Sequence, residues 1–147
     1  MTRNLFDCII GSMNSDTMLR YLLWYSSEFG DRVFYIQEFI ENLGYDVRLF
    51  VIHGQVIARM RRMSTSDFRY NLAQGGSSED FKGTEYDRLA LESTEALNAE
   101  VAGVDVMPTR DGALVMEINI YPGFQGLVKT TGIPVPRLLV DYFKTLM

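Results

Sequence analysis

Tyr45-Asp46-Val47-Arg48-Leu49-Phe50-Val51-Ile52-His53-Gly54-Gln55-Val56-Ile57-Ala58-Arg59-Met60-Arg61-Arg62-Met63 alternates apolar with charged residues on both sides of a single His-Gly step. A period of two marks strands. A two-residue hairpin turn needs positive φ, which Gly supplies and His tolerates. The stretch predicts two long antiparallel strands folded around His53-Gly54. That turn sets Asp46 opposite Arg61 and Arg48 opposite Arg59, all on one face with Phe50, Ile52 and Ile57. Val47, Leu49, Val51, Val56, Ala58 and Met60 then line the other face. Like charges directly opposite destabilise by a few tenths to about 1 kcal/mol, and Asp46 offsets only one of three arginines. A bound anion would relieve the rest; a solvated face with splayed arginines fits the same pattern.

A second hairpin is expected from Val101–Met107 and Ala113–Ile120, joined by Pro108-Thr109-Arg110-Asp111-Gly112. If Arg110-Asp111-Gly112 is a three-residue loop with a left-handed Gly and a bulge, Asp105 faces Glu117, with Asn119 two residues along on the same side. Two facing carboxylates in otherwise apolar strands are costly unless something binds between them. A hard divalent cation takes such oxygens, completed by water and phosphate. A two-residue Asp111-Gly112 turn would instead put Asp105 on the opposite face, and carboxylates at a strand end on the surface are the plainer alternative.

Outward from these hairpins, a helix is expected from Asp16 to Phe29, with Leu19, Leu22, Leu23, Ser26 and Phe29 at helical spacing and Gly30 at its end. Val33–Ile40 reads as a buried strand and Ala73–Ser78 as a polar loop. A helix capped by Thr84, with Asp87 three positions on, carries Tyr86, Leu89, Ala90, Ser93 and Leu97. A last helix starts near Pro136 and buries Leu138, Leu139, Tyr142, Phe143 and Leu146. Together these make one α+β unit of antiparallel hairpins.

The chain has 147 residues, 47% of them hydrophobic, enough for one domain with a real core. A net charge of −5 argues against nucleic-acid binding. Eleven of its basic residues are Arg and three are Lys, a bias suited to bidentate contact with phosphate or carboxylate. No apolar run is long enough to span a bilayer, and the start lacks a secretory signal's apolar stretch. The single cysteine, Cys8, fits a reducing compartment, so a cytoplasmic location is expected. His53 is the only histidine, which argues against a catalytic triad. Gly11-Ser12-Met13-Asn14 lacks the Lys-Ser/Thr of a Walker loop.

Gln37-Glu38-Phe39-Ile40, Asp46-Val47-Arg48, Arg61-Arg62, Phe68-Arg69-Tyr70-Asn71-Leu72 with Gly75-Gly76, Val101-Ala102-Gly103-Val104-Asp105, Met116-Glu117-Ile118-Asn119 with Pro122-Gly123, and Thr131-Gly132-Ile133 follow one another in this order. In order and spacing, from about residue 34 to the C-terminus, the set resembles RimK-like ATP-grasp ligases. The resemblance implies an α+β ATP-grasp C-terminal lobe, an antiparallel sheet with helices packed on it. It also implies joining of a carboxylate to an amine through an acyl phosphate made with ATP and Mg²⁺, Mn²⁺ being the alternative cation. By the same resemblance Gln37, Glu38 and Phe39 form the adenine-reading hinge, Asp46 contacts the nucleotide, and Arg69, Tyr70 and Asn71 lie near the phosphates. Asp105, Glu117 and Asn119 match metal ligands, and Arg48 and Arg61 match catalytic phosphate or acyl-phosphate contacts. Substrates would be a carboxylate acceptor and an amino-acid donor, glutamate first.

Family members carry an N-terminal substrate domain, an earlier ATP-binding lobe and a phosphate-binding Lys, whereas here the first Lys is Lys82. Residues 1–147 are therefore expected to be a single truncated ATP-grasp domain, homo-oligomeric or completed by another subunit. The competing expectation is a nucleotide-binding or structural remnant that acts through association without turnover.

Overall fold

The computed structural model describes residues 20, 23, 24, 27, 40–63 and 77–147. The chain divides into two compact units, Met1–Ile40 and Glu41–Met147. In the first, residues 20, 23, 24 and 27 are helical, inside the helix expected from Asp16 to Phe29. The Ser27 hydroxyl donates to the Trp24 carbonyl at 2.7 Å. Of the expected strand Val33–Ile40, only Ile40 is among the described residues, and it is not in a strand.

The second unit is built on five strands: β1 (Tyr45–Ile52), β2 (Gln55–Met63), β3 (Ser77–Asp80), β4 (Val101–Thr109) and β5 (Gly112–Asn119). Their order is β3-β2-β1-β4-β5, and every neighbouring pair is antiparallel. Three helices complete it: α1 (Asp87–Ala96), α2 (Gln125–Thr131) and α3 (Val135–Lys144).

His53 and Gly54 sit at φ 47° and 68°, the positive pair that a tight hairpin turn requires. Next to the turn Val51 pairs with Val56, but Phe50 pairs with Ala58, so Ile57 is an extra residue on β2. This bulge corrects the expected register. Asp46 faces Arg62 and Arg48 faces Met60, while Arg59 and Arg61 face Leu49 and Val47 on the other side of the sheet.

Alternation along β1 feeds two cores. Val47, Leu49 and Val51 pack with Phe81, Ala90, Val104 and Val106 on the face covered by α1. Phe50 and Ile52 pack with Ala58, Met60, Leu127 and Val135 on the face covered by α2 and α3. β1 is thus a central strand buried on both sides, each large apolar side chain contributing on the order of 1.5–3 kcal/mol.

Several local expectations change. Ser77 and Ser78 belong to β3 rather than to a loop. No side chain caps α1; Asp87 is instead held by Arg59, whose Nε donates to Oδ1 at 2.6 Å. Leu97, Phe143 and Leu146 are exposed. Helix α2 was not expected because Gly, Val and two Thr make Gln125–Thr131 a poor isolated helix. It forms by burying Leu127 and ends on Gly132 at φ 72°.

Gly103 fixes how the chain leaves β5. A Cβ there would lie 2.9 Å from the Pro122 Cβ, so only Gly lets the segment after Asn119 lie against the sheet. Gly103→Ala is expected to destabilise by about 1–3 kcal/mol as Pro122 is pushed away. Urea denaturation checks this.

Candidate functional site

One end of the face that carries α2 and α3 is charged. Ladder pairing arranges it in rows across the sheet: Ala58, Phe50, Gly103 and Asn119; then Met60, Arg48, Asp105 and Glu117; then Arg62 and Asp46. Directly opposed side chains in such rows stand roughly 4.5–5.5 Å apart at Cβ.

The Asp105–Glu117 pairing matches the expectation, though the turn differs. Thr109 pairs with Gly112, leaving Arg110-Asp111 as the loop, and Met116 is an extra residue on β5 beside Asp105. Without Met116 bulged out, Asp105 would face Met116 and Glu117 would point to the other side.

Four of these charged groups interlock. Arg48 donates from Nε to Asp105 Oδ1 and from Nη2 to Oδ2, each at 2.6 Å. Arg62 donates from Nε to Asp46 Oδ1 at 2.7 Å and from Nη2 to Asp46 Oδ2, and its Nη2 also lies 2.8 Å from Asp105 Oδ2. The side chains are 20% (Arg48), 9% (Asp105) and 10% (Arg62 and Asp46) exposed, so the network is dry enough for charge to matter. Burial pushes the Asp46 carboxyl above its ordinary value, although the Arg62 fork pulls against that. Burial acts the same way on Asp105, but Arg48 and Arg62 together outweigh it and hold that carboxyl below its ordinary value. Burial opposes the Arg62 charge, and the two carboxylates more than restore it.

Glu117 differs. It is exposed and has no hydrogen-bond or ion-pair partner among the described residues. The Asn119 Oδ1 accepts the Tyr121 backbone N–H at 2.8 Å, which leaves the amide carbonyl a second lone pair. Two carboxylates and an amide carbonyl on one face are hard oxygen donors of the kind Mg²⁺ takes. Among the described residues no group of three His, Cys, Asp or Glu could hold a metal by itself, so a cation here needs oxygens beyond these carboxylates.

Arg61, expected beside Arg48, is on the opposite face. Its Nη1 donates to Glu79 Oε1 at 2.9 Å, its guanidinium lies over the rings of Tyr45 and Phe81 at 4.5 and 5.1 Å, and its Nε is buried without a partner. Arg62 takes the place that the sequence reading gave to Arg61. The doublet Arg61-Arg62 made the choice a matter of strand parity, and nothing in the residue types announced the Ile57 bulge. Gln37, Glu38, Phe39, Arg69, Tyr70 and Asn71 lie outside the described residues.

Elsewhere, His53 Nδ1 is 2.8 Å from Glu100 Oε2, which also accepts from the Tyr142 hydroxyl at 2.8 Å, and the His53 and Tyr142 rings stack. This exposed cluster ties α3 to the hairpin tip. On the α1 face an open cleft of about 510 Å³ is lined by Leu43, Tyr86, Arg88, Pro108 and Arg110. No helix among the described residues is long and apolar enough to cross a membrane.

Comparison with known proteins supplies the context. A profile described as a RimK-like ATP-grasp domain matches residues 26–143. A protein of Trichodesmium erythraeum (strain IMS101), named probable alpha-L-glutamate ligase, is 40% identical over 114 residues, covering 76% of this chain and 38% of that protein. Probable alpha-L-glutamate ligase 1 of Shewanella sp. (strain W3-18-1) is 39% identical over 115 residues, again 76% and 38%. The chain therefore spans 38% of the length of these curated relatives. Among solved structures, a D-alanine–D-alanine ligase from Bacillus anthracis aligns with a TM-score of 0.61 at 18% identity over 90% of this chain and 48% of its own. The ATP-grasp ligase PsnB, complexed with a phosphomimetic variant of a minimal precursor, Mg and ADP, gives 0.58 at 21% identity over 71% and 33%. These two likenesses are of fold.

Proposed function

The chain belongs to the RimK-like ATP-grasp family, and on that premise we propose that it takes part in the ATP- and Mg²⁺-dependent joining of a carboxylate to an amine, with glutamate as the amine donor. The observation that carries this reading is the row that sets Asp105 opposite Glu117, with Asn119 in the next row on the same face and two arginines alongside. The names of the curated relatives support glutamate. The family match runs across the boundary between the two units, which supports reading residues 26–143 as parts of one ATP-grasp domain.

In this reading Asp105, Glu117 and Asn119 would hold Mg²⁺ (Mn²⁺ as the alternative), which when bound neutralises charge on the nucleotide phosphates. The Arg48 and Arg62 forks suit phosphate oxygens taken two at a time. Asp46 orients Arg62 and would contact the nucleotide. Gln37, Glu38 and Phe39 would read adenine, and Arg69, Tyr70 and Asn71 would lie near the phosphates. The acceptor carboxylate attacks the γ-phosphorus and ADP leaves; the amine then attacks the acyl carbon and phosphate leaves.

The test is ADP release with ATP, Mg²⁺, a carboxylate acceptor and L-glutamate. Release that requires glutamate is the expected result. Nucleotide binding without turnover would favour a second reading, a non-catalytic nucleotide-binding remnant, to which the engagement of both Asp105 oxygens by arginine lends support. Binding of neither nucleotide nor metal overturns both.

Association with a second copy, or with another subunit, is part of the proposal. Leu114, Met116, Ile120, Tyr121, Val140 and Phe143 are exposed, and a partner that covers some of these apolar side chains would remove them from water. Light scattering is expected to give a mass above that of one chain; a monomer at high concentration would reject this part. A cytoplasmic location is likewise proposed, supported by the single cysteine.

A further inference from the structure

Asp105 is asked to serve two masters. It is the buried member of the proposed oxygen set, yet Arg48 occupies both of its oxygens and Arg62 Nη2 lies 2.8 Å from Oδ2. Arg62 is itself shared, since its Nε and Nη2 also hold Asp46. We propose that Arg48 and Arg62 are resident counter-ions of the cation site: a dication and the two guanidiniums compete for Asp105, and the nucleotide phosphates take over the guanidiniums when the dication takes the carboxylate. This rests on the ligase reading of the same face and adds a rule for how the site loads.

The argument is electrostatic. With two Asp and two Arg, the interlocked group is neutral and nearly closed to solvent. A dication added alone would have to displace arginine from Asp105 and leave a buried guanidinium short of an anion, which is costly. A nucleotide added alone would draw the same arginines away and strand a buried carboxylate. Added together, each ligand supplies the partner that the other removes, so the two bind cooperatively. Glu117, exposed and without a partner among the described residues, is available to the cation in any state of the network.

Two positioning consequences separate this from a purely structural network. Among the described residues Asp46 is held by Arg62 alone, so its part is to anchor one side of the Arg62 fork before the exchange. Arg62 reaches both carboxylates, so its fork is the part that must turn.

The test measures Mn²⁺ affinity by calorimetry and by electron paramagnetic resonance, with and without ADP, so that no turnover is needed. For the wild type, ADP is expected to tighten Mn²⁺ binding by about tenfold or more, within the usual range of coupling between sites. In Arg48→Met, Mn²⁺ alone is expected to bind more tightly than to the wild type, and the gain from ADP is expected to shrink. Mn²⁺ binding to Arg48→Met that is no tighter than to the wild type, together with its loss in Glu117→Ala, would overturn the exchange and leave the cation site standing. Undiminished Mn²⁺ binding by both Asp105→Asn and Glu117→Ala would overturn the cation site and the exchange with it. Should Arg48→Met fail to fold, the wild-type Arg48 side-chain Nε–H resonance is the readout. It is expected to move when Mg²⁺ and ADP are both bound, and an unmoved signal at saturation with both would overturn the exchange.

Discussion

Replacing Arg62 by methionine is expected to cost about 3–5 kcal/mol of stability at neutral pH, because it leaves two buried carboxylates without their shared partner. Arg62 holds Asp46 through two donors and reaches Asp105 at 2.8 Å, with all three side chains at most 10% exposed. Urea unfolding at pH 7 measures the loss. The pH dependence carries its own signature. In the wild type the lowered Asp105 carboxyl contributes stability that is fully present above the ordinary carboxyl value of 3.8 and is lost as pH falls through its lower folded value. Asp46, raised above 3.8, has the opposite sign: it binds a proton more readily folded than unfolded and so opposes part of that loss. Without Arg62 both carboxyls lose a partner that lowers them, and protonation then favours the folded variant. The gap between wild type and Arg62→Met should therefore narrow on going from pH 7 toward about pH 4.5, near the carboxyl range. A gap that widens would mean that Arg62 does not serve as the counter-ion of these groups.

Glu117→Ala should behave in the opposite manner: about a 10²- to 10³-fold loss of ligation rate with hardly any loss of stability. Glu117 is exposed and without a partner among the described residues, so no contact among them is lost with it. Its position opposite Asp105 gives it value only once a cation is present. Steady-state ADP release and thermal melting, run on the same preparation, check both halves. A melting point lowered along with the rate would make Glu117 a structural residue instead.

The hairpins were legible because period-two alternation and a His-Gly step are local signals, and both are where the sequence puts them. The facing of Asp105 and Glu117 agrees with the expectation only because two departures cancel: the loop is one residue shorter than the spacing suggests, and Met116 adds that residue back, a bulge with no local signal. The partner of Asp46 was not legible. Whether Arg61 or Arg62 turns toward it depends on one unpaired residue at Ile57, whose side chain looks like any other strand residue. Strand β3 and helix α2 escaped for a related reason: Ser77–Asp80 and Gln125–Thr131 have weak intrinsic preferences, the first taking its form by pairing with β2 and the second by burying Leu127. The tie between Arg48 and Asp105 joins residues far apart in sequence, and no pattern along the chain encodes it.

The unpaired residues Ile57 and Met116 divide each hairpin into a tip and a stem that keep separate time. Lengthening the tip at Arg110-Asp111 by one position shifts the beat only as far as Met116, where the slip can be reabsorbed. The same insertion between Met116 and Asn119 would turn the oxygens of the stem to the far side of the sheet. A change of count at a loop end thus disturbs less of the sheet than the same change beyond the slip point.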